Sequence, residues 1–288
     1  MKLTLGFSPC PNDTFIFDAL IHHKIDTRGL DFAVEYHDVE TLNQKAFRQE
    51  LDITKLSYHA FAYAVENYEL LDAGSALGFG VGPLLITKNA DLAQKLRQYA
   101  GVALPEEFHN LKIGIPGKYT TANFLLGLAY PQLQNKQELV FSEIEQSLLD
   151  GKIDLGLIIH ENRFTYTDKG LHKAVDLGDY WEKTTQNPIP LGGIVIKRSL
   201  PEETKRLVNE LIRQSVEFAF ANPKSGLDYI RSHAQEMEES VMYKHIELYV
   251  NQYSSDLGEV GRQAIQTMFD KAQSLGLIPK TEKDIFLT

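Results

Sequence analysis

The chain repeats one pattern of strands and helices, and this repeat restricts the fold more than any other feature of the sequence. Residues 3–7 (Leu-Thr-Leu-Gly-Phe) and 111–115 (Leu-Lys-Ile-Gly-Ile) are short apolar segments typical of buried strands. Each is followed by a turn rich in proline or glycine and by a helix that begins near a threonine, over 8–15 in the first copy and 116–124 in the second. The pattern predicts two similar α/β units in one chain.

Both copies continue with a strand, a helix and a second strand. These elements are predicted at 30–36, 39–48 and 51–57 in the first copy, and at 138–144, 145–149 and 153–159 in the second. Apolar strands that alternate with short helices are typical of βαβ units and parallel sheets. We therefore expect an α/β protein with two lobes, each built on a parallel sheet.

Two further apolar segments, 82–88 and 191–197, have a glycine near their start and predict two hinge strands. On this basis the larger α/β lobe is discontinuous and comprises 1–88 and 197–288, whereas the smaller α/β lobe is 89–196. A two-lobed chain of this kind binds its ligand in a cleft between the lobes, at the carboxyl ends of the strands.

The sequence becomes helical after the second hinge strand. Ser199 is predicted to be the N-cap of a helix that has Pro201 in its first turn. Further helices are predicted near 236–250 and 257–274, and Gly276 ends the last of them.

Composition narrows the range of functions. Of 288 residues, 43% are hydrophobic, and the formal net charge is −10, so the chain lacks the basic surface that nucleic-acid binding requires. The single cysteine, Cys10, excludes an internal disulfide and a cysteine-based zinc site. No apolar run has the length of a signal-peptide core or a membrane span. We expect a cytoplasmic protein without nucleic-acid or membrane partners.

Polar side chains follow the predicted strands of the larger lobe. Asn12 and Asp13 come after the first strand, and Lys55 and Ser57 lie at the end of the third. Asn12, Asp13 and Ser57 suit the hydroxyl groups of a ligand, but these residue types are also ordinary helix caps. Lys55 either neutralises an anionic ligand or is an ordinary solvated lysine.

The smaller lobe offers a second set of candidates. Thr120, Thr121 and Ala122 open a helix whose free N–H groups suit a carboxylate, or they form an ordinary helix start. His160 directly follows a strand and is either a general base or a structural histidine. Arg163 binds a carboxylate or forms a surface ion pair. The histidines show no metal-ligand spacing, so no metal is expected.

Several unusual motifs occur together along nearly the whole chain. They are Ser8 to Phe17, Thr54 to Tyr58, Gly74 to Pro83, Pro116 to Ala122, Ile158 to Tyr166 and Asp176 to Glu182. This combination resembles the 1,4-dihydroxy-6-naphthoate synthase family, enzymes of the futalosine route to menaquinone. The resemblance implies a two-lobed, type 2 periplasmic-binding-protein-like fold used as a cytoplasmic enzyme.

The same resemblance implies a reaction and a set of residues. The reaction is a carbon–carbon lyase step that converts cyclic dehypoxanthine futalosine to 1,4-dihydroxy-6-naphthoate and releases dihydroxyacetone, without a cofactor. The substrate is a small-molecule carboxylate. By the family's pattern His160 is the proton acceptor, and the residues that contact the substrate are Lys55, Leu56, Ser57, Thr121 and Ala122.

Two other functions share this fold. One is a non-catalytic protein that binds a small anion, which is normally exported and does not need a histidine in its cleft. The other is chorismate dehydratase of the same pathway. The motifs Ser8 to Phe17 and His160 to Tyr166 favour the naphthoate synthase family over it. The sequence leaves open the oligomeric state, a homodimer included, as well as the group that orients His160.

Overall fold

A computed structural model describes residues 1–159, 162–234 and 238–287. Its strands in chain order are β1 (Lys2–Phe7), β2 (Asp31–Tyr36), β3 (Ile53–Ser57), β4 (Tyr68–Leu70), β5 (Ala76–Gly78), β6 (Leu84–Thr87), β7 (Ile113–Ile115), β8 (Lys136–Glu138), β9 (Leu155–Ile158), β10 (His172–Asp176) and β11 (Ile189–Lys197). Its helices are α1 (Pro11–Ile21), α2 (Val39–Phe47), α3 (Tyr58–Ala64), α4 (Ala90–Leu96), α5 (Thr121–Ala129), α6 (Ile144–Leu149), α7 (Asn162–Thr165), α8 (Leu177–Thr185), α9 (Glu202–Ala221), α10 (Leu227–His233), α11 (Glu239–Tyr249), α12 (Gln252–Ser255) and α13 (Gly258–Ser274). Short 3₁₀ turns occur at Arg97–Tyr99, Glu106–Phe108, Phe141–Glu143 and Tyr166–Lys169.

The chain divides into two compact units. The first unit comprises Met1–Gly78 and Pro190–Thr288, and the second unit is Phe79–Ile189. Both boundaries lie earlier in the chain than the predicted ones at 88 and 196. The first does so because β6 pairs with β9 and β10 of the second unit, and the second because β11 pairs with β3 and β4 of the first unit.

The sheet of the first unit has the order β2-β1-β3-β11-β4, and β5 pairs with β11. β1 is parallel to β2 and to β3, as predicted. β11 is antiparallel to β3 and β4, so the expectation of a purely parallel sheet is wrong. Gly192 lies opposite Ser57, the last residue of β3. β11 therefore enters the sheet beside the carboxyl end of β3 and runs antiparallel to it.

The sheet of the second unit has the order β10-β6-β9-β7-β8. β7 is parallel to β8 and β9, whereas β6 is antiparallel to both of its neighbours. The predicted strand at 138–144 is wrong, because β8 ends at Glu138 and a 3₁₀ turn then leads into α6. β8 is the last strand of the sheet order, and Val140, which lies within the predicted strand, is 53% exposed.

Apolar side chains of helices α1 and α9 pack with those of the first sheet and form the core of the first unit. Leu5, Phe7 and Phe17 are fully buried, and the rings of Phe7 and Phe17 stack with their centroids 4.4 Å apart. Burial of side chains of this size stabilises the unit by about 1.5–3 kcal/mol each. Because Phe7 is the last residue of β1, this core holds the end of the strand in place.

Helix α9 begins later than predicted. Its N-cap is Pro201 and not Ser199. A proline disfavours helical backbone in the residue before it, so Leu200 stays outside the helix. Within the described ranges, no helix is both long enough and apolar enough to cross a bilayer.

Asp52→Asn is expected to lower the free energy of unfolding by about 1–2 kcal/mol at pH 7. Asp52 Oδ2 accepts hydrogen bonds from the backbone N and the hydroxyl of Thr4, both at 2.9 Å, and Oδ1 lies 3.1 Å from Lys197 Nζ. Burial raises the pKa of Asp52, but these bonds outweigh burial and leave the pKa below its ordinary value. The bonds connect β1 and β11 across β3.

The effect of Asp52→Asn depends on pH with a definite sign. A carboxyl whose pKa is lowered by folding stabilises the protein above its unfolded-state pKa, and the contribution is lost as pH falls through the folded-state value. Urea unfolding should therefore show a difference between wild type and variant that narrows below about pH 4. Asp228→Asn, which changes a fully exposed carboxyl, is the control. A difference that widens in acid would contradict this account.

Candidate functional site

In the first unit, β1 ends in a tight turn that the side chain of Asp13 closes. Asp13 Oδ2 accepts hydrogen bonds from the backbone N of Ser8 at 3.2 Å and from its hydroxyl at 2.7 Å. Helix α1 starts at Pro11, a favoured first position, with Cys10 as the N-cap. Asn12 and Asp13 therefore lie within the first turn of the helix and are not its cap.

Lys55 is paired inside the chain. Its Nζ lies 2.7 Å from Asp13 Oδ1, and the two side chains are only 8% and 2% exposed. Asp13 thus accepts from Ser8, Asn12 and Lys55, and its two carboxylate oxygens are satisfied by four donor atoms of the protein. The pair is electrically neutral, so the positive charge of Lys55 is already matched before any ligand binds.

A buried histidine that no pattern in the sequence marks joins the same network. His245 on α11 is fully buried, and its Nε2 lies 2.8 Å from Asn12 Oδ1. Asn12 Nδ2 in turn donates to Asp13 Oδ1 at 2.8 Å. The two residues are 233 positions apart, and no local pattern marks a histidine on an amphipathic helix as a partner of α1.

Leu56 and Ser57 complete the strand end of the first unit. Leu56 is fully buried, and a side chain at Gly192 would come within 2.6 Å of its carbonyl oxygen. Glycine at 192 therefore permits β11 to approach β3. The amide N of Ser57 donates to Asn43 Oδ1 at 3.1 Å, and Asn43 Nδ2 lies 3.4 Å from the Ser57 hydroxyl. This serine is buried and oriented by α2.

In the second unit, the predicted helix start after β7 is confirmed. Thr120 is the N-cap of α5, where its hydroxyl accepts from the N of Asn123 at 3.2 Å and donates to the carbonyl of Gly117 at 2.8 Å. Thr121 and Ala122 are buried in the first turn. Because the Thr120 hydroxyl is engaged as donor and acceptor, the backbone N–H groups of this turn are the better candidates for ligand contact.

Arg163 contacts groups of the second unit. Its guanidinium donates to the carbonyl of Gly82 and lies 3.3 Å from Asp176 Oδ2, and its side chain is 14% exposed. Burial raises the pKa of Asp176, and the charge of Arg163 opposes that rise. Arg163 is therefore in an ion pair, but the pair is largely buried and not at the surface as one interpretation of the sequence had it. Binding of a ligand carboxylate by Arg163 stays a prediction.

Gly82 lies against a second glycine on α8. A Cβ added at Gly82 would overlap the backbone N and Cα of Gly178, and one added at Gly178 would lie 2.8 Å from Gly82 Cα. Both neighbours are backbone atoms, which move less readily than a side chain. The contact positions the carbonyl that Arg163 binds.

Gly82→Ala is expected to lower the free energy of unfolding by about 1–3 kcal/mol, as overpacking of a well-packed site does. The control in the same unit is Gly127→Ala on α5, where an added Cβ meets nothing within 4 Å. That substitution should stabilise the helix by about 0.5–1 kcal/mol. Urea unfolding of both variants measures the two effects. Equal stabilities would show that the glycine contact is not needed.

His160 and Glu161 lie outside the described residues. The residues next to them are positioned by Glu145 on α6, which is 3% exposed. Glu145 Oε2 accepts from Asn162 Nδ2 at 2.7 Å and from Lys169 Nζ at 2.6 Å. A buried carboxylate therefore holds the start of α7, a contact for which the sequence carried no signal. Among the described residues, no three histidine, cysteine or acidic side chains converge as a cation site.

A family model described as "Menaquinone biosynthesis" matches residues 3–274. The chain belongs to this menaquinone-biosynthesis family. Two curated relatives are named 1,4-dihydroxy-6-naphthoate synthase. The one from Thermus thermophilus is 41% identical over 99% of both chains, and the one from Streptomyces coelicolor is 40% identical over 98% of this chain and 96% of its own.

Solved structures show the fold of this menaquinone-biosynthesis family member. Protein AF1704 from Archaeoglobus fulgidus is 33% identical, with a TM-score of 0.85 over 96% of this chain and 98% of that one. The periplasmic aliphatic sulphonate-binding protein SsuA from Escherichia coli is 12% identical, with a TM-score of 0.63 over 97% and 89% of the two chains. The predicted periplasmic-binding-protein-like α/β fold is confirmed.

Proposed function

We propose that the chain catalyses the formation of 1,4-dihydroxy-6-naphthoate from cyclic dehypoxanthine futalosine, with release of dihydroxyacetone. The observation that carries the proposal is the identity of about two residues in five, over nearly the full length, to two relatives named as this synthase. No observation favours chorismate dehydratase or a non-catalytic binding protein, since the likeness to sulphonate-binding proteins extends to the fold alone.

The proposed reaction breaks a carbon–carbon bond and forms an aromatic ring. One molecule of substrate contains the atoms of both products, so no external oxidant or reductant is needed and we propose no cofactor. His160 removes a proton from the substrate and the bond to the three-carbon fragment breaks, with its electron pair left on the ring. The proton is then returned, so that the two products together contain all atoms of the substrate, and aromatisation of the ring drives the step forward. A positioned general base typically accelerates such a step by about 10²–10⁴-fold.

The contacts within each unit suggest a division of roles for binding. Lys55 and Asp13 neutralise each other, so we assign the substrate carboxylate to the N-terminus of α5, where Thr121 and Ala122 present backbone N–H groups. Asn12 and Ser57, which are buried and held by hydrogen bonds, are assigned to substrate hydroxyl groups. A small-molecule carboxylate as the substrate and a cytoplasmic location belong to the same proposal.

Incubation of the purified protein with cyclic dehypoxanthine futalosine tests this proposal. Mass spectrometry should detect 1,4-dihydroxy-6-naphthoate and dihydroxyacetone in equal amounts, and heat-inactivated protein is the control. A parallel incubation with chorismate should give no product. Substrate recovered unchanged would favour a binding protein, and conversion of chorismate would favour the dehydratase; either result would overturn the proposal.

A further inference from the structure

The first unit contains a continuous buried chain of hydrogen bonds that runs from α11 to β3. It connects His245, Asn12, Asp13 and Lys55 through contacts of 2.8, 2.8 and 2.7 Å. All four residues are at most 9% exposed. The four residues come from α11, α1 and β3, so these hydrogen bonds join three separate elements beside the carboxyl end of β1.

The donor and the acceptor of each of these three hydrogen bonds can be assigned. The Asp13 carboxylate accepts from the ammonium group of Lys55, so the Asn12 atom that faces Asp13 is the donor Nδ2. The oxygen of the same amide therefore faces His245. Since an amide oxygen only accepts, His245 Nε2 carries a hydrogen and donates it.

Among the residues that the structure describes, this arrangement uses only part of the hydrogen-bonding capacity of Asn12. Oδ1 is engaged by His245, and one of the two Nδ2 hydrogens is engaged by Asp13. The second Nδ2 hydrogen is a donor whose direction is set by the other two bonds. Asn12 is 9% exposed, whereas His245 is fully buried, so Asn12 lies nearer to solvent than the histidine that orients it.

We propose that His245 is a positioning residue for the reaction, holding the Asn12 amide so that its second Nδ2 hydrogen is donated to an oxygen atom of the substrate. The inference rests on the proposed function and names a residue that acts through Asn12 and not on the substrate itself. A preorganised donor of this kind avoids the free-energy cost of reorienting a side chain during the reaction.

Two substitutions of His245 test whether the position of the hydrogen-bond donor matters, and not only the presence of a buried polar side chain. The amide nitrogen of glutamine reaches approximately the place of Nε2, whereas that of asparagine reaches the place of Nδ1. We expect His245→Gln to keep kcat/KM within about threefold of wild type, and His245→Asn to lower it by about tenfold or more, the range for an unsatisfied buried group. Comparable thermal midpoints for the two variants show that the loss is not due to unfolding. Equal activities in the two variants would overturn the proposal.

A double-mutant cycle tests whether His245 acts through Asn12. In the Asn12→Ala background, His245→Asn should change kcat/KM by less than about twofold, because the group that it positions is already gone. Full additivity of the two single effects would show an independent structural role and overturn the proposal.

A measurement on the unmodified protein covers the case in which the buried substitutions fail to fold. Nitrogen-15 NMR of histidine-labelled protein should show the hydrogen of His245 on Nε2, and a hydrogen on Nδ1 alone would overturn the proposal. Product formation by wild type is the separate control for the reaction. If wild type forms no product, the proposed function fails, and the NMR result still decides whether His245 orients Asn12.

Discussion

Replacing Lys55 with methionine is expected to lower the free energy of unfolding by about 3–5 kcal/mol, because the substitution leaves a buried carboxylate without its counter-ion. Asp13 is 1% exposed, and Lys55 lies 2.7 Å from it. The remaining donors of Ser8 and Asn12 hold the carboxylate but do not neutralise it. Urea unfolding at pH 7 measures the loss.

Two comparisons identify the cause of that loss. Lys152→Met breaks an ion pair of similar length, 2.8 Å to Asp150, but the lysine side chain is 69% exposed, and we expect little change in stability because solvent screens the pair. Combining Lys55→Met with Asp13→Asn removes both charges and should recover much of the stability. A double variant as unstable as Lys55→Met would show that packing, and not the unpaired charge, accounts for the effect.

Replacing His160 with alanine is expected to lower kcat by about 10²-fold or more and to leave KM within a few-fold, because a general base acts on the reaction and adds little to binding. If His160 is the base, the rate of wild type should decrease in acid as the imidazole gains a proton, and this decrease should be absent in the variant. Steady-state kinetics across pH 5–9 measures both effects.

His172→Ala is the matched control for His160→Ala. His172 starts β10 in the same unit, and it is exposed. Its replacement should leave kcat and KM unchanged. Near-normal turnover of His160→Ala would remove this residue from the mechanism, and the base would have to be sought elsewhere.

Local patterns in the sequence predicted most of the elements. The apolar segment at 3–7 lies within β1, and the threonine that precedes the second-unit helix is its N-cap. Predictions were wrong where the secondary structure depends on contacts with distant residues. Residues 138–144 are apolar enough for a strand, but β8, which ends at Glu138, is the last strand of its sheet. The direction of β11 was also unpredictable, because it depends on pairing with β3, more than a hundred residues earlier.

The candidate site was predicted less completely than the fold. From the sequence, Asn12 and Asp13 were candidates for ligand contact or for helix caps, and Lys55 was either a partner of an anion or a solvated lysine. The structure pairs the three with one another, and their contact with a ligand stays a prediction. Sequence reasoning treats residues one at a time and does not detect a contact across 42 positions. His245 and Glu145 were missed for the same reason, since their partners are distant in sequence and close in space.

The position of β11 between β3 and β4 has a consequence for how the protein is synthesised. The strands of Met1–Gly78 leave the ribosome early, but their sheet lacks a central member until residue 197 has emerged. Phe79–Ile189 is one continuous segment and can complete its sheet before then. During translation the later-made half is therefore expected to fold first, while the earlier half waits with its sheet incomplete and exposed to chaperones.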